Sequence, residues 1–137
     1  MGMGFQDNPN NILGADSSNN QFDGIVITGG ADAWALGNFA EVIPAGAITS
    51  EYDIHYVVFE GASATDIYEL VLYQGALGAE SEIGRIRVDR ESAQSGVSNA
   101  PIQIPALAAN TRISAKVASK SGGNDTVTIS VYYHLYE

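Results

Sequence analysis

Between Asn110 and Tyr136 the chain alternates apolar and polar residues so regularly that a β-sheet is the natural way to use it. Ile113, Ala115 and Val117 interleave with Arg112, Ser114 and Lys116. After a break, Val127, Ile129, Val131 and Tyr133 interleave with Thr126, Thr128, Ser130 and Tyr132. A period of two puts one set on a buried face and the other on a wet one. Between the two runs, Ser121-Gly122-Gly123-Asn124 supplies residues that tolerate the positive φ angles of a tight reversal. The segment therefore reads as a β-hairpin.

The same grammar recurs 59 positions upstream, where Ile54, Val58, Asp66, Leu70, Leu72 and Tyr73 match Ile113, Val117, Asp125, Ile129, Val131 and Tyr132. Ile43-Pro44-Ala45 and Ile104-Pro105-Ala106 precede the two copies, with the register slipped by two. Two readings stand. Either a repeat of roughly 60 residues builds two similar half-sandwiches, or two hairpins obey one set of rules by chance.

Residues 1–23 are rich in Asn, Gly, Asp and Ser, and too few apolar side chains are present to offset the segment's ordering entropy. They read as an extended N-terminal arm ahead of a sandwich domain over 24–137. Met3, Phe5, Ile12 and Leu13 are its expected anchors in a larger partner, with Pro9 interrupting any strand it adds to a neighbour's sheet. Strands are expected at Gly24–Thr28, at Ala33–Leu36 with Phe39–Ile43, at Glu51–Phe59, at Ile67–Tyr73 and at Ile83–Arg90. A short edge strand leads to Ile104, since Pro101 and Pro105 each remove a ladder donor. With the last two strands the count is about eight and no helix, an antiparallel β-sandwich of jelly-roll type.

The upstream pair carries more apolar surface than one core can use. Tyr52, Ile54, Tyr56 and Val58, with Tyr68, Leu70 and Leu72, make one face. The opposite face still holds Val57, Phe59, Ile67, Val71 and Tyr73. Each sheet of a sandwich buries one face, and a surplus patch marks an interface. These five residues are therefore expected to contact other copies in a homo-oligomer, unless a loop of the same chain covers them. Charge is segregated as well: residues 1–84 hold twelve acids and no Lys or Arg, and the rest holds all six basic residues with four acids. Arg85 and Arg87 are thus expected to face carboxylates of a neighbour, the alternative being ordinary solvated faces.

A net charge of −10 repels phosphates, which excludes nucleic acid as the expected partner. There is no Cys, hence no disulfide or thiolate site. The chain shows neither a signal peptide nor an apolar run of membrane-spanning length, so a soluble, unexported protein is expected. Walker, nucleophile-elbow and zincin patterns are all missing. His55 and His134 are the two imidazoles, each beside tyrosines in an alternating strand, with a metal site or a catalytic triad as the lesser alternative. No catalytic residue, cofactor or metal is expected, and the chain reads as a non-enzyme. Trp34 reads as a core or interface residue, with sugar stacking as the alternative. Asn124-Asp125-Thr126 is a formal glycosylation sequon better explained as a turn.

The pattern Ile104-Pro105-Ala106, Ala109-Asn110-Thr111-Arg112-Ile113-Ser114-Ala115, Ser121-Gly122-Gly123-Asn124-Asp125-Thr126 and the Tyr-rich finish resembles small β-sandwich virion proteins of tailed bacteriophages. The resemblance covers mainly residues 43–136 and carries no functional residue over. It implies a capsid decoration (cement) protein that stabilises the phage head as a trimer, bound to the major capsid protein or another virion protein. The location it implies is the capsid surface of the virion, after synthesis in the host cytoplasm. A receptor- or glycan-binding module of a tail or head fibre is the second implication. A carbohydrate-active enzyme is the third class left open by the numerous carboxylates.

Overall fold

The computed structural model describes residues 15–16, 21–90 and 98–136, with side chains over 21–90 and 102–136. The strands are β1 (Ala15–Asp16), β2 (Gln21–Thr28), β3 (Ala40–Ile43), β4 (Tyr52–Ala62), β5 (Ile67–Gln74), β6 (Ser81–Asp89), β7 (Ser98–Pro101), β8 (Ile113–Ser119) and β9 (Thr126–Leu135). They form a five-stranded sheet, β1-β2-β9-β4-β7, and a four-stranded sheet, β3-β8-β5-β6. All pairings are antiparallel. The pairs β5–β6, β4–β7, β3–β8 and β2–β9 nest inside one another, as if one long hairpin had been rolled up. That is a jelly-roll sandwich, as the alternation and strand count indicate. Among the described residues, no helix is long and apolar enough to cross a membrane.

The two expected hairpins are not hairpins. β8 and β9 lie in different sheets, as do β4 and β5, so each pair is an arch across the core. At the second arch Gly122, Gly123 and Asn124 take φ of 77°, 84° and 59°. A Cβ on Gly122 would lie 2.5 Å from the Ala31 carbonyl oxygen. Three successive left-handed residues carry the chain over the sandwich edge rather than back along its neighbour. The arches are tied together by Asp66, a buried carboxylate that accepts the Ile67 N–H at 2.8 Å and the Ser121 N–H at 3.1 Å. Since β4 pairs with β9 and β5 with β8, the two similar segments interleave, which gives the upstream echo a structural counterpart.

β4 changes faces midway. Its ladder with β9 shifts register between Ile54 and Tyr56 and again between Phe59 and Gly61. Tyr52 and Ile54 point into the core; beyond the first bulge the inward residues are Val57 and Phe59, both fully buried. The interface assignment of Val57 and Phe59 is therefore corrected: one inserted residue turns them inward and sends Tyr56 outward.

On the four-stranded sheet the chain covers itself. Val71 is fully buried, while Ile67 and Tyr73 are half-buried. Residues 29–39 run along the β8 edge beyond β3, with Trp34 N–H donating to Ser119 O at 2.7 Å and Gly37 N–H to Val117 O at 3.1 Å. Phe39 meets Tyr73 edge-on at 4.8 Å, and the Lys116 ammonium sits 4.2 Å from the Phe39 ring. A loop of the same chain thus takes up surface that the apolar surplus assigned to a partner. The N-terminal boundary also moves, because β2 begins at Gln21 and Phe22 is buried against Tyr133, ring centroids 5.6 Å apart. The expected break at Asp23 falls inside a strand, and Ala15–Asp16 already pairs with it. The proposed anchors Met3, Phe5, Ile12 and Leu13 lie outside the described residues.

Phe59→Ala leaves a cavity at the core and is expected to lower the unfolding free energy by about 3–5 kcal/mol. Urea denaturation of the isolated chain, at concentrations that vary tenfold, reads it; an interface residue would show a concentration-dependent loss instead. Burial also raises the phenol pKa values of Tyr52, Tyr68 and Tyr133. Tyr52 and Tyr68 keep their protons on the Thr111 and Ala64 carbonyls, at 2.9 and 2.6 Å. Their stabilisation is fully present below the unfolded value near pH 10. Above it the unfolded chain loses protons first, so stability falls by up to about 1.4 kcal/mol per pH unit for each phenol. Denaturation midpoints between pH 8 and 11 should show this slope, and Tyr52→Phe should reduce it.

Candidate functional site

The outer face of β4 carries a cluster of side chains next to its first bulge. Asp53 stands opposite His134 across the β4–β9 ladder, and His55 is the extra residue between Ile54 and Tyr56. His55, two residues on from Asp53, lies on the outer face that Asp53 and His134 share, and the shift that follows it turns the next residues over. One donor atom from each of the three lies within 4.8 Å of the other two. The imidazole centroids are 5.2 Å apart with planes inclined at 58°, and His55 Nε2 is 3.9 Å from Asp53 Oδ1.

Tyr136 completes the group. Its hydroxyl donates to Asp53 Oδ2, and its ring meets His134 edge-on at 5.4 Å. That hydrogen bond to the carboxylate raises the Tyr136 phenol pKa. The other oxygen, Asp53 Oδ1, is buried with no hydrogen-bond partner among the described residues. Beside it, Asp53, Ile54 and His55 line an open cleft of about 450 Å³ closed on its far side by Ile102–Pro105. Farther along the same face, Tyr56 and Tyr132 pair at 4.7 Å with planes 31° apart, and the Ser130 hydroxyl donates to Glu60 at 2.7 Å.

Two imidazoles, a carboxylate and a phenol are the ligand types that hold late first-row divalent cations. By sequence alone, His55 and His134 read as ordinary strand residues. The available signal was spacing: Asp53 and His55, like His134 and Tyr136, are two apart on a strand and so face alike. What pairs the two sets is the ladder register, which the sequence does not display.

The arginines find their carboxylates within the chain. Arg85 pairs with Glu69 at 3.1 Å and Glu82 at 2.8 Å, and Arg87 with Glu69 at 3.4 Å. Arg112 pairs with Glu41 at 2.9 Å and Glu80 at 3.3 Å. The acidic and basic halves of the sequence meet across the four-stranded sheet, where a neighbouring copy was expected. Trp34, at φ 59°, lies under the Arg87 guanidinium at 4.3 Å and is 39% exposed. It sits on the opposite side of the sandwich from Tyr56 and Tyr132, so the three rings cannot form one platform.

No protein-family model matches this chain, and no curated protein matches it. Among solved structures it is similar to the CBM22-1–GH10 modules of xylanase 10B from Clostridium thermocellum, complexed with xylohexaose. That likeness has TM-score 0.41 and 16% identity, over 87% of this chain and 26% of the other. Murine APRIL gives TM-score 0.39 and 12% identity over 80% of this chain and 98% of that one. Eiger TNF from S. frugiperda gives 0.37 and 10% over 84% and 88%. The chain spans about a quarter of the xylanase chain. These are likenesses of fold.

Trp34 is the single tryptophan, so its fluorescence reports this contact alone. Arg87→Gln should uncover one ring face, raising the acrylamide quenching constant and shifting emission to the red. The change in stability should stay within about 1 kcal/mol, the size of an exposed cation–π contact.

Proposed function

We propose that this chain is a structural protein of a bacteriophage virion, a decoration or cement protein that binds the capsid surface as an oligomer and stabilises the head. The observation that carries this reading is the difference between the two outer faces. The four-stranded sheet is covered in part by residues 29–39 and carries charges that are paired within the chain. The five-stranded sheet presents Tyr56, Tyr132, His55, His134 and Tyr136, with Val26 at 58% exposure. A broad face rich in tyrosine and poor in Lys suits a contact surface between proteins. The partner in this reading is the major capsid protein or another virion protein, at the capsid surface, after synthesis in the host cytoplasm. The resemblance over residues 43–136 supplies the phage assignment and the preference for a trimer. With Val57 and Phe59 in the core, contacts between copies fall on other residues.

The chain enters the sandwich at the outermost position of the five-stranded sheet, where β1 flanks β2. An arm attached ahead of β1 would leave from a sheet margin, which suits a tether. The Tyr56–Tyr132 pair favours a second reading, a glycan-binding fibre module, since paired rings offer a stacking surface.

Co-sedimentation with particles lacking the protein tests the proposal. The full chain should bind and raise the temperature at which the heads rupture. A chain lacking residues 1–14, which keeps β1, should remain folded and bind at least tenfold more weakly. Binding to bacterial surface glycans, lost in Tyr56→Ala with Tyr132→Ala and unaccompanied by binding to heads, would establish the second reading in its place.

A further inference from the structure

We infer that Asp53, His55 and His134 form a binding site for one divalent transition-metal ion of the zinc kind, with a coordination position left open to the cleft. The inference does not depend on the capsid reading. It rests on three observations, each from a different part of the geometry.

The first is convergence. An ion held by nitrogen and oxygen at about 2.0–2.1 Å keeps its tetrahedral ligands roughly 3.3 Å apart. The three donor atoms already stand within 4.8 Å of one another. The remaining closure falls to side chains that can move, since the His55 side chain is 54% exposed and His134 is exposed too.

The second is the carboxylate. Asp53 Oδ1 is buried and has no hydrogen-bond partner among the described residues. A buried acceptor left without a donor is costly, and a cation between it and the two imidazoles would satisfy it. The His55 ring stands on that side, at 3.9 Å from this oxygen.

The third is support behind the ligands. Tyr136 holds Asp53 through the other oxygen, Oδ2, which leaves Oδ1 free to bind. Outer partners of this sort orient ligating groups and tune affinity. The ligand set decides the metal: two imidazoles and one carboxylate suit zinc, nickel or copper, whereas calcium and magnesium take oxygen ligands in greater number. The cleft lined by Ile102–Pro105 leaves space at the fourth position for water or for a donor from another molecule.

The untagged full chain, stripped with a chelator, is titrated with zinc chloride by calorimetry, with nickel and calcium chlorides alongside. One zinc per chain is expected, nickel should bind, and calcium should not. His55→Ala and His134→Ala should each weaken zinc at least tenfold, and Tyr136→Phe by about tenfold. Both histidines are exposed, so far-UV circular dichroism should be unchanged; His55→Gln replaces any variant that loses structure. Crystals soaked in zinc should show anomalous density at the zinc edge between the three side chains. Zinc that binds the double variant His55→Ala/His134→Ala as tightly as the wild type, or no binding at millimolar zinc, would overturn the site.

Discussion

A strand has two faces, and one inserted residue exchanges them. In this sandwich that residue is His55. Without the register shift between Ile54 and Tyr56, the inward set of β4 would run Tyr52, Ile54, Tyr56, Val58, and Val57 with Phe59 would lie outside. With it, four large side chains fill the core from one strand, and Phe59 becomes fully buried. The imidazole of His55 stays on the outer face beside Asp53 and His134, where plain alternation already puts it. Core packing thus depends on this irregularity, while the candidate metal site depends on the alternation that precedes it and on the pairing of β4 with β9.

The arches show a related economy. A carboxylate withdrawn from water needs donors, and Asp66 takes one from each arch, Ile67 N–H and Ser121 N–H. Hydrogen bonds to an ionised acceptor are shorter and stronger than neutral ones. Here they fix the relative position of two crossings that are distant in sequence. With the arches side by side in this orientation, β4 meets β9 and β5 meets β8.

The alternation of Ile113 to Val117 and Val127 to Tyr133 disclosed the sheet class and the buried face, because period two is a local property. Gly122-Gly123-Asn124 disclosed a reversal but not its direction: the same residues serve a hairpin and an arch, and the choice depends on which strands are available to pair. In Tyr52–Phe59 both phases of the alternation are partly apolar, so nothing in composition marks the inserted residue. The apolar surplus on the upstream pair was real. Its cover came from the bulge and from residues 29–39, whose Trp34 and Phe39 read as a broken strand. The candidate metal site was half legible, as Asp53 with His55 and His134 with Tyr136. Joining the halves requires a register between segments far apart in the chain.

The sheet margins carry a consequence for crowding. A strand at the border of a sheet offers unsatisfied amides to any passing chain, and long flat borders invite runaway stacking. Three of the four margins here are short: β1 has two residues, β3 four and β7 four, the last ending at Pro101. The fourth, β6, is nine residues long but bears Glu82, Arg85, Arg87 and Asp89, charges that a second copy could not pair without desolvating. Among the described residues, lateral addition is thereby disfavoured at these four strands. Copies brought to high local density would then meet through their faces rather than by adding strands.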